Sequence, residues 1–149
     1  MLTQVLAAPP EIWGDSGANG SEQVSDLAHE DWWVARLQAM MRAVEGAYSL
    51  AVLTRHAIYA VRDPFGLRPL CLGELDGGYA VASESCALQT IGARFVREVE
   101  PGEILRLDKH GVTSILATSS SRRALCVFEH VYFARPDTQL EGQVIHDVR

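Results

Sequence analysis

The spacing of hydrophobic residues changes from helical to strand-like near residue 46. Between residues 31 and 45 the apolar side chains form one helical stripe, made of Trp33, Leu37, Met40, Met41 and Val44. Acidic residues stand at the start of this stretch, where the helix dipole favours negative charge, and Gly46 is placed to stop it. A helix is therefore predicted over 31–45. A shorter helical run near residues 2–6 and a polar loop at 11–25 precede it.

After residue 46 the apolar residues alternate with polar or small residues at a period of two, which is the pattern of β-strands. We expect first a hairpin that turns near Arg55 and His56. Further strands are expected at 69–73, 79–82, 103–107 and 112–116. Glycine, proline and aspartate separate these runs, and those residues favour turns.

Two other elements are expected in the second half of the chain. A short helix before Gly92 would be capped by Ser83 and ended by the glycine. The polar segment 118–123 breaks the alternation, and we interpret it as a boundary. The dense apolar stretch 124–134 that follows is predicted to be a buried strand.

The composition is that of an ordinary soluble protein with a core. The chain has 149 residues, of which 48% are hydrophobic and 21% charged. Its net charge of −6 argues against a nucleic-acid-binding surface. We expect no membrane span and no secretory signal, and hence a cytoplasmic location. The three cysteines, Cys71, Cys86 and Cys126, form no close pair and are expected to be reduced.

The tetrapeptide Asp63-Pro64-Phe65-Gly66 has the residue preferences of a type I turn. The aspartate can accept a hydrogen bond within the turn, the proline presets the next φ, and glycine suits the fourth position. Arginines flank this turn at positions 62 and 68. We expect them to pair with nearby carboxylates rather than to bind a substrate.

Four segments, in this order, resemble the amidophosphoribosyltransferase family. They are RDPFGLRPL at 62–70, ASESCAL at 82–88, VEPGEI at 99–104 and FEHVYFARPD at 128–137. The resemblance extends over nearly the whole chain. One departure is mild, because His130 stands where the family usually has another aromatic, hydrogen-bonding residue, tyrosine.

The resemblance implies an α+β fold, namely the second half of an αββα sandwich. This sandwich is the N-terminal-nucleophile, or class II glutamine amidotransferase, domain. Residues 1–119 would form the C-terminal half of the glutaminase domain. Residues 120–149 would lead into a phosphoribosyltransferase domain, which is truncated here.

The resemblance also implies an activity. The family converts glutamine, phosphoribosyl pyrophosphate and water into 5-phosphoribosylamine, glutamate and pyrophosphate, the first committed step of purine biosynthesis. An N-terminal cysteine attacks glutamine, and an Asn-Gly pair stabilises the oxyanion. None of the family's catalytic or substrate-binding residues can be placed in this sequence, since Asn19-Gly20 lies in the polar loop. We therefore expect a fragment of the enzyme that is itself inactive.

The resemblance makes Cys126 a candidate metal ligand. In one branch of the family a cysteine at this position binds a [4Fe–4S] cluster, which needs four thiolates. The other ligands of that branch have no counterpart in this sequence. We expect Mg²⁺ and, in that branch, the cluster in the full-length enzyme, and no cofactor for this chain alone. The expected assembly is a homo-oligomer, with no nucleic-acid or membrane partner.

Two other interpretations remain open. The chain could be a non-catalytic truncated product that binds the full-length enzyme. It could also belong to another class II glutamine amidotransferase, such as glucosamine-phosphate synthase or asparagine synthetase. Those enzymes share the glutaminase fold but lack the segment at 132–137, which argues against them.

Overall fold

The computed structural model describes residues 26–118, 123–124 and 126–148. The helix and loop predicted before residue 26 lie outside the described residues, as does most of the expected boundary segment. The chain divides into two compact units, Met1–Glu45 and Gly46–Arg149. Within the described ranges, no helix is both long and apolar enough to cross a membrane.

Helix α1 (Asp26–Ala43) belongs to the first unit and confirms the predicted apolar stripe. It begins at Asp26, earlier than expected. Leu37 and Met40 are completely buried, as the helical spacing of the apolar residues requires. The last helical bond joins the Val44 amide to the Met40 carbonyl at 2.9 Å. Gly46 follows with a φ of +131°, so the predicted glycine stop is also confirmed.

Four antiparallel strands of the second unit form what we call the first sheet. They are β1 (Ser49–Leu53), β2 (Ala57–Arg62), β6 (Glu103–Asp108) and β7 (Gly111–Leu116). Their order across the sheet is β1-β2-β6-β7. The β1–β2 hairpin turns where it was predicted, and the Ala57 amide donates to Thr54 Oγ1 at 3.1 Å to close it. All four strands had been expected from the two-residue alternation.

Three further antiparallel strands form the second sheet. They are β3 (Cys71–Leu75), β4 (Gly78–Ala82) and β5 (Arg94–Glu98), in the order β4-β3-β5. The strands β3 and β4 were predicted, but β5 was missed. Its sequence holds the charged residues Arg94, Arg97 and Glu98, so apolar alternation is weak, as suits a strand at a sheet edge.

Helix α2 (Ser85–Thr90) follows β4. The prediction that Ser83 caps it was wrong. Glu84 occupies the N-cap position with extended backbone, and no side chain in the described part of the chain caps the helix. The physical reason is that the helix begins at Ser85, so Ser83 lies one position before the N-cap, and the Glu84 carboxylate accepts hydrogen bonds from the Arg135 amide and Thr138. Gly92 follows the helix with a φ of +75°, which confirms the predicted glycine stop.

The two sheets pack face to face around one apolar core. Its buried residues come from both sheets and the adjoining loops: Ala60, Leu70, Leu72, Val99, Leu105 and Leu107. On the opposite face of the second sheet, Cys71 packs with Leu88 of α2 and with Ala93. The second unit therefore has three layers, sheet on sheet on helix. Burying each large aliphatic side chain stabilises the stack by about 1.5–3 kcal/mol.

The chain after residue 126 is not the buried strand that was predicted over 124–134. Residues Glu129–Phe133 form one turn of π-helix. Short strands β8 (Gln139–Leu140) and β9 (Gln143–Val144) and helix α3 (Ile145–Val148) follow it. A small cluster of Ala134, Leu140 and Ile145 is buried. The prediction was wrong because apolar composition alone does not determine which side chains are buried.

Candidate functional site

The turn after β2 is organised by the carboxylate of Asp63. The Gly66 amide donates to the Asp63 carbonyl at 3.0 Å, which closes the predicted turn. Asp63 Oδ1 accepts from the amides of Phe65 and Leu67 at 3.0 and 3.1 Å. Its Oδ2 accepts from the Arg68 amide at 3.1 Å. Asp63 is fully buried, and these charge-assisted bonds make the turn rigid.

The guanidinium of Arg62 connects this turn to the second sheet. It donates to the carbonyls of Gly66 at 3.1 Å and Arg68 at 3.0 Å within the turn. Across the sandwich it donates to the Val99 carbonyl at 2.6 Å and to Glu98 Oε2 at 3.2 Å. Only 2% of Arg62 is exposed. A buried charge is tolerated when its donors are paired in this way, so the expected carboxylate pairing is confirmed.

A second turn, at Pro101 and Gly102, fits against the Asp63 turn. The Gly102 amide donates to the Asp63 carbonyl at 3.0 Å. A Cβ atom added to Gly102 would lie 2.1 Å from the Thr118 carbonyl oxygen, and one added to Gly66 would lie 2.7 Å from Pro101 Cγ. Both glycines have positive φ values. The two turns and the guanidinium of Arg62 form what we call the polar knot between the sheets.

Arg68 extends the polar knot to the π-helical turn. Its guanidinium forms an ion pair with Glu129, whose carboxylate is almost completely buried. The same guanidinium lies 5.7 Å from the centroid of the Phe133 ring, which is cation–π distance. The second predicted arginine–carboxylate pair is thus confirmed as well.

Glu84 forms a separate attachment for the C-terminal residues. Its Oε2 accepts from Thr138 Oγ1 at 2.8 Å and from the Arg135 amide at 2.9 Å. Ser85 Oγ accepts from the Gln139 amide at 2.8 Å. No local pattern predicts this role, because the bonds join residues more than fifty positions apart.

The π-helical turn and the residues before it expose a patch that we call the aromatic face. Its members are Val127, Phe128, Val131, Tyr132 and Phe133, each about half exposed or more. The rings of Phe128 and Tyr132 stack with centroids 5.7 Å apart. Consecutive exposed apolar side chains of this size usually mark a surface that another polypeptide covers.

An open cleft of about 300 Å³ lies beside β5 and is lined by arginine and glutamate side chains. Arg97 donates to both carboxylate oxygens of Glu103, at 2.7 and 2.8 Å, and Arg123 pairs with Glu100. Burial alone would raise the pKa of Glu103, but the hydrogen bonds from Arg97, Ser114 and the Glu100 amide hold that pKa below its usual value. The paired charges leave the cleft nearly neutral.

The described residues do not fit a metal cluster by themselves. Within the described ranges, no group of three or more His, Cys, Asp or Glu side chains could hold a metal ion. Cys71 and Cys86 are buried in β3 and α2, whereas Cys126 is only partly buried. A four-thiolate cluster cannot be built from these positions. The part of Cys126 as a single ligand remains a prediction.

The comparisons with known proteins agree with this architecture. The family described as "Glutamine amidotransferase domain" matches residues 16–90. The amidophosphoribosyltransferase of Rattus norvegicus is 40% identical across 100% of this chain and 30% of its own length. The enzyme of Mycobacterium tuberculosis is 46% identical over 74% of this chain and 21% of its own length. The chain therefore spans less than a third of the length of these relatives.

Solved structures show the same likeness. The glutamine phosphoribosylpyrophosphate amidotransferase of B. subtilis, complexed with ADP and GMP, matches 97% of this chain with a TM-score of 0.74 and 34% identity. A second structure, of the allosteric regulatory enzyme of purine biosynthesis, matches with a TM-score of 0.70 and 30% identity. The expected fold class, part of a class II glutaminase sandwich, is confirmed. The chain belongs to the glutamine amidotransferase family and, within that family, to the amidophosphoribosyltransferases, of which it matches one region.

Proposed function

We propose that this chain is a piece of an amidophosphoribosyltransferase and supplies the second half of its glutaminase domain. The observation that carries the proposal is coverage, since the likeness extends over 100% of this chain but only 30% of the rat enzyme. In the proposed reaction, water hydrolyses the glutamine amide to glutamate and ammonia. Ammonia then displaces pyrophosphate from phosphoribosyl pyrophosphate and gives 5-phosphoribosylamine. The enzyme would act as a cytoplasmic homo-oligomer.

The role proposed for the chain is to support the site rather than to carry its chemistry. The N–H groups of Arg62 donate to groups of the protein itself, and Arg97 and Arg123 form ion pairs with glutamates. The family's nucleophile and oxyanion-binding pair have no counterpart at matching positions in the 149 residues. We therefore propose that the 149 residues alone hydrolyse no glutamine and form no phosphoribosylamine.

The two domains proposed for the full enzyme would meet near residues 119–120. The later residues would begin the phosphoribosyltransferase domain, in which Mg²⁺ would accompany the substrate. If the full enzyme holds a [4Fe–4S] cluster, this chain would supply one ligand, Cys126, and the remaining polypeptide would supply the other three.

A chimera tests the proposal. Residues 1–149 would replace the matching region of the rat enzyme, and glutamate and pyrophosphate release would both be measured. We expect both activities in the chimera and neither in purified 1–149. A matched chimera with Arg62→Met, which breaks the polar knot, is expected to lose both.

Two results would contradict the proposal. A folded chimera without either activity would mean that this chain does not serve the amidophosphoribosyltransferase reaction. Glutamine turnover by purified 1–149 would show that the chain carries its own catalytic residues.

A further inference from the structure

Two polar attachments among the described residues connect residues 126–138, which we call the C-terminal segment, to the sandwich. Arg68 binds the segment through Glu129 near its beginning. Glu84 binds it through Thr138 and the Arg135 amide at its end. Of the exposed aromatic face, Val131, Tyr132 and Phe133 lie between these attachments, and Val127 and Phe128 precede the first. Polar contacts on both sides of residues 131–133 therefore help to set the orientation of the face.

Of the two attachments, the one at Arg68 is continuous with the polar knot. The Arg68 amide donates to Asp63 Oδ2 at 3.1 Å, and its carbonyl accepts from Arg62 Nε at 3.0 Å. The backbone of Arg68 is thus fixed by the same bonds that join the two sheets. Its side chain then reaches Glu129 and the ring of Phe133. The Arg68 side chain thus links the buried turn to Glu129, while the Phe65 carbonyl of the same turn accepts from the Ala124 amide at 3.0 Å, just before the segment.

The burial of Glu129 makes its ion pair with Arg68 important for the position of the π-helical turn. Its carboxylate is only 3% exposed, whereas the Arg68 side chain is 43% exposed. A buried carboxylate that loses its cationic partner is left as an uncompensated charge, which is strongly destabilising. The Ala134 amide donates to the Glu129 carbonyl at 2.9 Å, so a displacement of Glu129 is passed on to the end of the π-helical turn.

We propose that Arg68 is a positioning residue that holds the aromatic face in a fixed orientation on the glutaminase sandwich. This inference rests on the proposed function. In the full enzyme the aromatic face then stands at a fixed place relative to the ammonia released from glutamine. Loss of the Arg68–Glu129 pair leaves glutamine hydrolysis intact and lowers the fraction of ammonia that is converted into phosphoribosylamine.

The first test is hydrogen exchange on the 149-residue chain and does not depend on activity. Arg68→Met and Glu129→Gln are expected to speed exchange of the Glu129 and Ala134 amides by about tenfold to a hundredfold, the range for lost charge-assisted bonds. The amides of β2 and β6 are expected to keep their protection. Arg68→Lys, which retains the charge, is expected to restore part of the protection.

The matched control is Arg94→Met, which removes an exposed arginine–glutamate pair from the second sheet. We expect it to leave the C-terminal segment unchanged. The proposal is overturned if the segment is unprotected in the original chain, if Arg68→Met changes nothing, or if Arg68→Met exposes β2 and β6 to the same degree.

The second test measures the ratio of pyrophosphate to glutamate released by the chimera. Arg68→Met is expected to lower this ratio about tenfold through misplacement of the segment, with glutamate release unchanged. An unchanged ratio, or an equal loss of both products, overturns the positioning role. An unmutated chimera without activity refutes the proposed function instead, and hydrogen exchange still decides whether Arg68 positions the segment.

Discussion

Substitutions at two glycines with the same backbone conformation distinguish the cost of backbone strain from the cost of a steric clash. Gly102 and Gly77 have φ values of +76° and +79°. Among the residues that the structure describes, a Cβ atom at Gly77 would meet nothing within 4 Å, whereas one at Gly102 would lie 2.1 Å from the Thr118 carbonyl oxygen. Alanine at either position pays the same cost for a left-handed backbone, about 1–2 kcal/mol. Only Gly102→Ala must also displace the chain that follows β7.

The additional cost at Gly102 can be worked from its hydrogen bonds. Its carbonyl accepts from the amides of Ala117 and Thr118 at 3.0 and 3.3 Å, and its amide donates to the Asp63 carbonyl. Losing two or three such bonds costs about 0.5–1.5 kcal/mol each. We therefore expect Gly102→Ala to lower the free energy of unfolding by about 2–6.5 kcal/mol, against about 1–2 kcal/mol for Gly77→Ala.

Urea denaturation of both variants, followed by far-ultraviolet circular dichroism, measures this difference. Thermal unfolding provides a second reading, at about 2–4 °C in Tm for each kcal/mol in a chain of this length. Equal losses of stability in the two variants would refute the reasoning, because the close approach of Thr118 to Gly102 would then contribute nothing.

Three further predictions follow from charge and burial. Arg62→Met is expected to cost about 3–5 kcal/mol in urea denaturation, because it leaves buried acceptors unpaired, whereas the exposed control Arg94→Met changes stability by less than about 1 kcal/mol. The stability due to the lowered pKa of Glu103 is complete above the pKa of an unfolded glutamate, about 4.3, and is lost as pH falls through the lower folded value. Glu103→Gln is therefore expected to flatten the pH dependence of unfolding below about pH 4, and an unchanged acid limb would contradict this. Burial raises the pKa of Cys71 to about 12, so a thiol reagent at pH 8 is expected to modify Cys126 quickly and Cys71 only after unfolding. Fast labelling that survives in Cys126→Ser would overturn that assignment.

Local patterns were enough to predict much of the fold. The strands of the first sheet follow from two-residue alternation, which needs no knowledge of distant partners. The Asp63 turn was also predictable, since its carboxylate bonds amides only two to five residues away. Strand β5 was missed because three of its five residues are charged. Its place at the sheet edge follows from pairing with β3, not from its own sequence.

The candidate site depended more on distant contacts. The arginines at 62 and 68 were expected to pair with carboxylates, but Glu98 and Glu129 lie 36 and 61 residues away, and no local signal selects them. The error over 124–134 has the same origin. An apolar sequence indicates that burial would be favourable. Which of its side chains are buried depends on the polar contacts that hold the segment in place.

Two acceptors of Arg62, Glu98 and the Val99 carbonyl, are far from it in sequence, and this affects the order in which parts of the fold form. The β1–β2, β3–β4 and β6–β7 hairpins join neighbouring residues and can form early, because closing a short loop costs little entropy. The bond from Arg62 to the Val99 carbonyl closes a span of 37 residues and must form later. Until that bond forms, the guanidinium of Arg62 lacks its acceptors on the second sheet. We expect Glu98→Gln to slow refolding at this step, because a neutral amide attracts the guanidinium less than a carboxylate does.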